Sequence, residues 1–293
     1  MSSFVDHLQI LPVPSVGGVR QPDGDHRPGG LGMLTLADRL VARGWTARVE
    51  DIGFDKRLPE RRIAESYARA IGDGVLSAWE RDRFPIVLSR VSHGALGVVD
   101  ALGDRTGVLW VSPRAEYRRP GLLRRSAFDR TTVAMITGRG ERDSLAVSPV
   151  RLEARRVVLL GGWKSGDDEL RALAEDGGRV LAREEVDGLG EAVGDVDTRR
   201  WYLHLDVNAL HGASVPAADE PAPEGFEPNA LSAAIEGALA GRTIGCVGLA
   251  RYDLNRDRSG RTAETLVELL EHVAKVAGGQ PRPEEAAGSA AGT

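Results

Sequence analysis

Residues 84–102 read FPIVLSRVSHGALGVVDAL, an apolar stretch followed by a short polar segment and a second apolar stretch. This pattern predicts a buried strand over 85–88, a polar connection over 89–94 and a helix over 94–103. A strand that passes directly into a helix is the repeating unit of α/β proteins with a parallel sheet. The stretch therefore predicts the fold class.

The same alternation extends outward in both directions. Seven further strands are expected at 8–12, 46–52, 108–111, 156–160, 178–181, 201–206 and 244–249. Five further helices are expected at 31–43, 59–81, 166–176, 228–240 and 261–276. The last helix carries an apolar stripe at helical spacing, formed by Leu266, Leu269, Leu270, Val273 and Val276.

Continuous apolar strands are typical of a sheet that is covered by helices on both faces. We therefore predict an α/β protein with a single three-layer α/β/α domain over residues 1–277. Its sheet should be mostly parallel and should have about eight strands. The tail 278–293 is rich in Gly, Ala, Pro and Glu, and it is expected to be disordered.

Composition excludes several classes of protein. A chain of 293 residues, 42% of them hydrophobic and with a net charge of −5, is neither disordered nor a nucleic-acid binder that works by bulk charge. The lone Cys246 cannot form an internal disulfide, and it is expected to be buried. No apolar run approaches the ~20 residues of a membrane span, and no signal pattern opens the chain. We expect a soluble, cytoplasmic protein without a membrane partner.

Basic residues are strongly biased toward arginine. Only three of the 38 are lysines, so 35 are arginines, as is typical of a GC-rich bacterial genome. A single arginine is therefore weak support for a site, and an arginine at a position that should hold another residue is stronger support.

Polar residues collect at four strand ends, over 89–94, 112–120, 206–212 and 250–263. Ligands of parallel α/β sheets bind at the carboxyl ends of the strands, so these segments are the candidate site. None contains HExxH, GxSxG, a glycine-rich phosphate loop or CxxC.

At these strand ends the chain resembles the ureohydrolase family of arginases, agmatinases, formiminoglutamases and guanidino-acid hydrolases. Segment 84–102 resembles the family's strand with GGDHS, 107–120 the segment with DAHxD, and 202–210 the segment with DxD. Segment 159–173 resembles the turn and helix after the central strand, and 251–270 resembles the last helix. The resemblance covers about 270 residues. It implies the arginase-like fold and, by analogy, a homo-oligomer of three or six subunits.

The resemblance also implies a site built from two manganese ions, two histidines and four aspartates, and here the chain departs from the family. The positions that match these ligands and their neighbours carry Val91, Ser92, Ser112, Arg114, Glu116, Asp206 and Asn208. Arg251 stands at the position of the catalytic glutamate, the histidine of the HGM turn falls near Val133, and Arg118 replaces the asparagine that binds the substrate carboxylate.

Only Asp206 keeps the family's residue. Since arginine has five donors and no acceptor, it cannot bind a metal ion. We expect the manganese centre to be lost, no cofactor to be present, and Arg114 and Arg251 to act as counter-charges for Asp206 and Glu116.

Three functions stay open. The first is a metal-independent enzyme that acts on a small substrate, with catalytic candidates drawn from histidines, acids, hydroxyls and arginines. These candidates are Ser92, His93, Arg114, Glu116, Asp206, Asn208, His211 and Arg251, with His204 and Tyr117 as weaker ones. The second is a non-catalytic pseudoenzyme that binds a ligand or a partner subunit. The third is a single different metal ion bound by His93, Glu116, Asp206 and Asn208, which the neighbouring guanidinium groups oppose.

The loop 114–130 carries six arginines against two acidic residues. In the family this loop borders the substrate, so the basic loop favours an anionic ligand or partner surface over the family's cationic substrates. A solvated loop in an arginine-rich chain explains the same pattern. The residues expected to bind the substrate are Tyr117, Arg118, Arg119 and Asp253.

Overall fold

The computed structural model, which carries all side chains, describes residues 7–13, 31–53, 60–118, 130–140, 142–198, 200–253 and 256–278. Within these ranges eight strands form one sheet. They are β1 (His7–Val13), β2 (Thr46–Val49), β3 (Phe84–Ser89), β4 (Gly107–Ser112), β5 (Val157–Gly161), β6 (Arg179–Leu181), β7 (Arg200–Asp206) and β8 (Thr243–Ala250). Every pairing between neighbouring strands is parallel. The predicted fold class is confirmed.

Helices connect the strands. They are α1 (Leu31–Ala42), α2 (Glu60–Glu80), α3 (Gly94–Leu102), α4 (Thr132–Ile136), α5 (Arg142–Leu145), α6 (Asp167–Glu175), α7 (Leu189–Gly194), α8 (Pro228–Leu239) and α9 (Arg261–Gly278). The six longest match the predicted helices to within one or two residues. The shorter α4, α5 and α7 are absent from the prediction because four to six residues are too few to display a helical period.

Two hydrophobic layers cover the sheet. One contains buried residues of α1, α7, α8 and α9, and the other contains buried residues of α2, α3, α4 and α6. The apolar stripe of α9 packs into the first layer, where Leu266, Leu269, Leu270 and Val273 are buried. Cys246 is buried in β8, as expected from its apolar surroundings. The expected three-layer arrangement is therefore present.

The strand order is β2-β1-β3-β8-β7-β4-β5-β6. Its four central strands, β3, β8, β7 and β4, are those whose carboxyl ends carry the polar segments of the candidate site. Because all strands are parallel, these four ends meet at one edge of the sheet. The predicted tail lies outside the described residues except for Gly278.

In the part of the chain that the structure describes, no helix combines the length and apolar character needed to cross a bilayer.

Candidate functional site

The end of β3 and the turn after β4 bring a serine to a buried glutamate. The Ser92 hydroxyl donates a 2.7 Å hydrogen bond to Oε1 of Glu116, and both side chains are inaccessible to solvent. Burial raises the pKa of Glu116 to about 8, although the Arg251 charge and the hydroxyls of Ser92 and Thr132 act in the opposite direction. Glu116 is therefore mostly protonated at neutral pH.

The end of β7 supplies the second carboxyl group of the site. Oδ2 of Asp206 accepts a 3.2 Å hydrogen bond from the Ser112 hydroxyl, and Oδ1 accepts one of 2.9 Å from the backbone N–H of Asn208. Burial raises the pKa of Asp206 to about 6, with the charge of Arg251 as the main opposing effect. Asp206 is thus mostly ionised at neutral pH.

Arg251, directly after β8, provides the cation. Its Nη2 lies 3.9 Å from Oε1 of Glu116, and its side chain is only 13% exposed. Its charge is also the largest one that lowers the pKa of Asp206. The protonated Glu116, the ionised Asp206 and the guanidinium group leave this buried cluster close to neutral, as a low-dielectric site requires.

The backbone is unusual at two members of the cluster. Glu116 and Arg251 have φ values of 52° and 66°, in the left-handed region that non-glycine residues rarely occupy. Such conformations cost of order 1–3 kcal/mol each and collect at functional sites. The chain therefore carries local strain at both residues of the Glu116–Arg251 contact.

Two histidines lie near the cluster as neutral groups. Burial lowers the pKa of His93 and of His204 to about 3, and the Arg251 charge adds to the effect. The His204 ring stacks on Trp110 at 3.6 Å between centroids, and its Nδ1 lies 2.9 Å from the Tyr202 hydroxyl. A group with so low a pKa is a poor base at neutral pH, so His204 contributes mainly packing.

A segment after β7 is joined to the chain that follows β8. We call residues 217–220 the strap, because backbone hydrogen bonds join Ala217 to Asp253 and Asp219 to Arg251, each at 3.0 Å. Arg90 binds the strap residue Asp219 at 2.9 Å and Asp253 at 3.2 Å. Asp253, predicted to bind substrate, thus helps to hold the strap in place.

The structure corrects the expected role of Arg114. Its guanidinium group turns to the strap and binds the Glu220 carboxylate at 3.0 Å, and Lys164 binds the same carboxylate at 3.2 Å. Its influence on Asp206 is limited to a smaller lowering of the pKa. Of the two arginines expected to replace the metal ions, only Arg251 lies in the cluster.

The side chains of the other predicted site residues make their contacts outside this cluster, although the backbone of Asn208 binds Asp206. Nδ1 of His211 faces Glu227 at 3.8 Å, and the buried Tyr117 donates a 2.7 Å hydrogen bond to Asp176. The mostly exposed Arg118 binds Glu169, and Arg119 lies outside the described residues. The amide oxygen of Asn208 accepts a 2.8 Å hydrogen bond from the backbone N–H of Glu220.

Arg90, Lys164, Asp219 and Glu220 were missed by sequence reasoning. Arg90 and Lys164 lie within the segments 84–102 and 159–173, but a single arginine such as Arg90 does not stand out in an arginine-rich chain. The strap residues belong to the stretch between β7 and α8, where no motif draws attention to them. Only their contacts in the tertiary structure reveal them.

The residues at the strand ends do not fit the family's manganese pair. Within the described ranges, no three His, Cys, Asp or Glu side chains are grouped in a way that could hold a metal ion. Serine hydroxyls occupy two of the matching positions and are bound to Glu116 and Asp206. Two divalent ions require several anionic or imidazole donors, and a guanidinium group opposes them.

A groove of about 1020 Å³ opens elsewhere, between α2 and the segment 142–151. It is lined by charges of both signs, such as Arg69, Asp73 and Asp100. None of the predicted site residues lines it. The groove and the cluster are therefore separate features.

Comparisons with known proteins agree with this fold. No protein-family model matches the chain. It is 21% identical over 286 residues to the arginase of Bacillus subtilis (strain 168), covering 90% of this chain and 96% of that one. The arginase structure from Bacillus caldovelox has a TM-score of 0.75 at 19% identity and covers 93% of this chain and 98% of its own. The formimidoylglutamase structure from Bacillus subtilis has a TM-score of 0.69 at 13% identity, and the match covers 94% of this chain and 87% of that one.

Proposed function

From the premise that the chain belongs to the ureohydrolase family, we propose that it works without manganese as a non-catalytic ligand-binding protein. The observation that carries the proposal is the set of contacts at the two carboxyl groups: Glu116 contacts Ser92 and Arg251, whereas Asp206 contacts Ser112 and the backbone N–H of Asn208. This set lies where the resemblance expects the metal ligands. With Glu116 protonated, the charge of Arg251 balances that of Asp206, so the cluster needs no metal ion for charge balance.

Accessibility supports a non-catalytic role. Ser92, Glu116 and Asp206 are each at most 2% exposed. A general base must come within hydrogen-bond reach of the proton that it removes. Here the two carboxyl groups already accept hydrogen bonds from Ser92 and Ser112. The histidines His93 and His204 are weakly basic, because burial lowers their pKa to about 3.

Metal analysis tests the first half of the proposal. Protein purified with excess manganese and then desalted should contain far less than two manganese ions per chain. It should release no urea from arginine or agmatine. The matched control is the variant Arg251→Glu, which restores the residue found in the family. Because Glu116 and Asp206 would then face a third acidic side chain, this variant should be destabilised and should still bind no manganese pair. Two bound ions with turnover in the unmodified protein would refute the proposal.

A second candidate, a metal-independent enzyme, is favoured by one contact. A hydroxyl and a carboxyl group with a pKa near 8 lie 2.7 Å apart in Ser92 and Glu116, which is the geometry of a nucleophile beside a proton acceptor. If this pair were catalytic, Ser92→Ala would remove nearly all turnover, since proton transfer alone is worth about 10²–10⁴ in rate.

Mass spectrometry of a metabolite extract distinguishes the two candidates. The extract is incubated with the unmodified protein or with Ser92→Ala, and both samples are compared with buffer alone. The non-catalytic proposal expects no compound to be consumed in either sample. A compound that is consumed by the unmodified protein and not by Ser92→Ala would replace the proposal with the enzyme.

A further inference from the structure

Two turns at the rim of the candidate site are joined to each other. The backbone N–H of Gly162 donates to Ser112 O at 2.8 Å, and that of Lys164 donates to Pro113 O at 2.7 Å. The backbone N–H of Ala115 donates to the Ser165 hydroxyl at 2.8 Å. These three contacts fix the turn after β4, which carries Arg114, against the turn after β5, which carries Lys164.

The two basic side chains converge on one carboxylate. Nη2 of Arg114 lies 3.3 and 3.0 Å from the two oxygens of Glu220, and Nζ of Lys164 lies 3.2 Å from Oε2. The Arg114 and Lys164 side chains are 20% and 27% exposed, whereas that of Glu220 is 48% exposed. The two cations are therefore held in place, and the acid that they bind is half in solvent.

We propose that Arg114 and Lys164 form a binding site for the carboxylate group of a small-molecule ligand, and that Glu220 occupies this site in the free protein. The inference rests on the proposed function, because it names the class of ligand that the non-catalytic protein binds. An incoming carboxylate can accept the same hydrogen bonds that the Glu220 side chain accepts.

The strap keeps its position when the Glu220 side chain leaves. The backbone N–H of Glu220 is held by the amide oxygen of Asn208 at 2.8 Å, and Asp219 is held by Arg90. Only the exposed side chain has to rotate into water. Partly exposed ion pairs are weak, so a ligand meets a modest internal competitor.

The site also adjoins the buried cluster. The Ser112 hydroxyl contacts both the backbone N–H of Arg114, at 3.1 Å, and the Asp206 carboxylate, at 3.2 Å. The carboxylate site and the buried cluster are therefore linked through one shared hydroxyl group.

Competition by Glu220 gives the experiment. Succinate is titrated into the full-length protein at constant ionic strength, and the dissociation constant is measured by calorimetry. Glu220→Gln should bind succinate about fivefold more tightly than the unmodified protein, since fivefold corresponds to the roughly 1 kcal/mol that a partly exposed ion pair contributes. Glu224→Gln is the matched control, because it removes the same charge from the same segment, where Glu224 contacts Trp163 and neither cation. It should bind like the unmodified protein.

Replacing a cation completes the test. Adding Arg114→Gln or Lys164→Gln to Glu220→Gln should abolish the gain, and circular dichroism checks that each variant is folded. Equal affinities of Glu220→Gln and Glu224→Gln, or a gain that survives Arg114→Gln, would overturn the inference. Manganese is measured in the same samples. Bound manganese would refute the proposed function and leave the carboxylate site standing, whereas an absent Glu220 effect would refute the carboxylate site alone.

Discussion

Replacing Glu116 by glutamine removes one titratable proton from the buried cluster. The change keeps the size of the side chain and an oxygen that can accept the 2.7 Å hydrogen bond of Ser92. Glutamine also resembles the protonated carboxyl group that we expect at neutral pH. The variant should therefore fold, and its stability should differ from that of the unmodified protein mainly in its dependence on pH.

The sign follows from the pKa of Glu116. An unfolded glutamate loses its proton near its ordinary pKa of 4.5, whereas burial raises the pKa of the folded group to about 8. Between these values the folded state binds one more proton, so the free energy of unfolding decreases as the pH rises. The slope is about −1.4 kcal/mol for each pH unit. From pH 6.5 to 8 the loss amounts to about 2 kcal/mol, and it levels off above the folded pKa.

Other groups of the cluster act mainly outside this interval. Asp206, with its pKa raised to about 6, causes a similar loss of stability between about pH 4 and 6. The lowered pKa values of His93 and His204 make stability rise with pH, from about pH 3 to their ordinary value of 6.5. Above pH 6.5, the change in the free energy of unfolding with pH therefore reports mainly the titration of Glu116.

Urea unfolding followed by circular dichroism at pH 6.5, 7.25, 8.0 and 8.75 measures the effect. The unmodified protein should lose stability through this series, while Glu116→Gln should stay nearly level and be the more stable protein at pH 8.75. Asp206→Asn is the matched control, because it removes a neighbouring carboxylate and should preserve most of the slope. Parallel slopes for Glu116→Gln and the unmodified protein would refute the assignment of a buried, protonated Glu116.

Two further predictions concern the Glu116–Arg251 contact and the paired turns. Arg251→Gln should destabilise the protein by about 3–5 kcal/mol. Combining it with Glu116→Gln should give a coupling energy of about 0.5–3 kcal/mol, and this energy should be larger at pH 8.75 than at pH 6.5. Additive effects in urea unfolding at both pH values would show that the two groups do not interact. Gly161→Ala should lower the melting temperature strongly, because φ is 121° and a Cβ would lie 2.4 Å from Ser112 O. Gly190→Ala is the control, because a Cβ added at Gly190 would meet no atom within 4 Å, and it should be neutral or stabilising. Equal melting temperatures of the two variants would contradict the close approach of the two turns.

The helices and strands could be predicted from the sequence because their patterns involve only residues that are close together in the chain. The stripe of α9 and the apolar runs of β4 and β8 depend on neighbouring residues alone. The polar segments after β3, β4, β7 and β8 were also selected correctly as strand ends that meet. The short α4 and α7 were missed since they contain only five and six residues, and their stability comes from packing.

The partner of Arg114 shows where sequence reasoning fails. A charge-balance argument paired it with Asp206 or Glu116, since these acids occupy neighbouring positions in the matched motifs. The structure pairs it with Glu220, which is 106 residues away in sequence and belongs to no motif. Charge balance states that a partly buried guanidinium group needs an acid, but it does not say which acid comes within reach.

The sequence by itself determined the parallel α/β class, the limits of the long helices and strands, and the serine, arginine and asparagine residues that stand at the strand ends. These features depend on residue type and on contacts between near neighbours. Only the tertiary structure decided the strand order that joins β3, β8, β7 and β4, the left-handed backbone of Glu116 and Arg251, and the strap that carries Glu220. The physical reason is that burial and charge act through distance in space, and chain folding brings together residues that are far apart in the sequence.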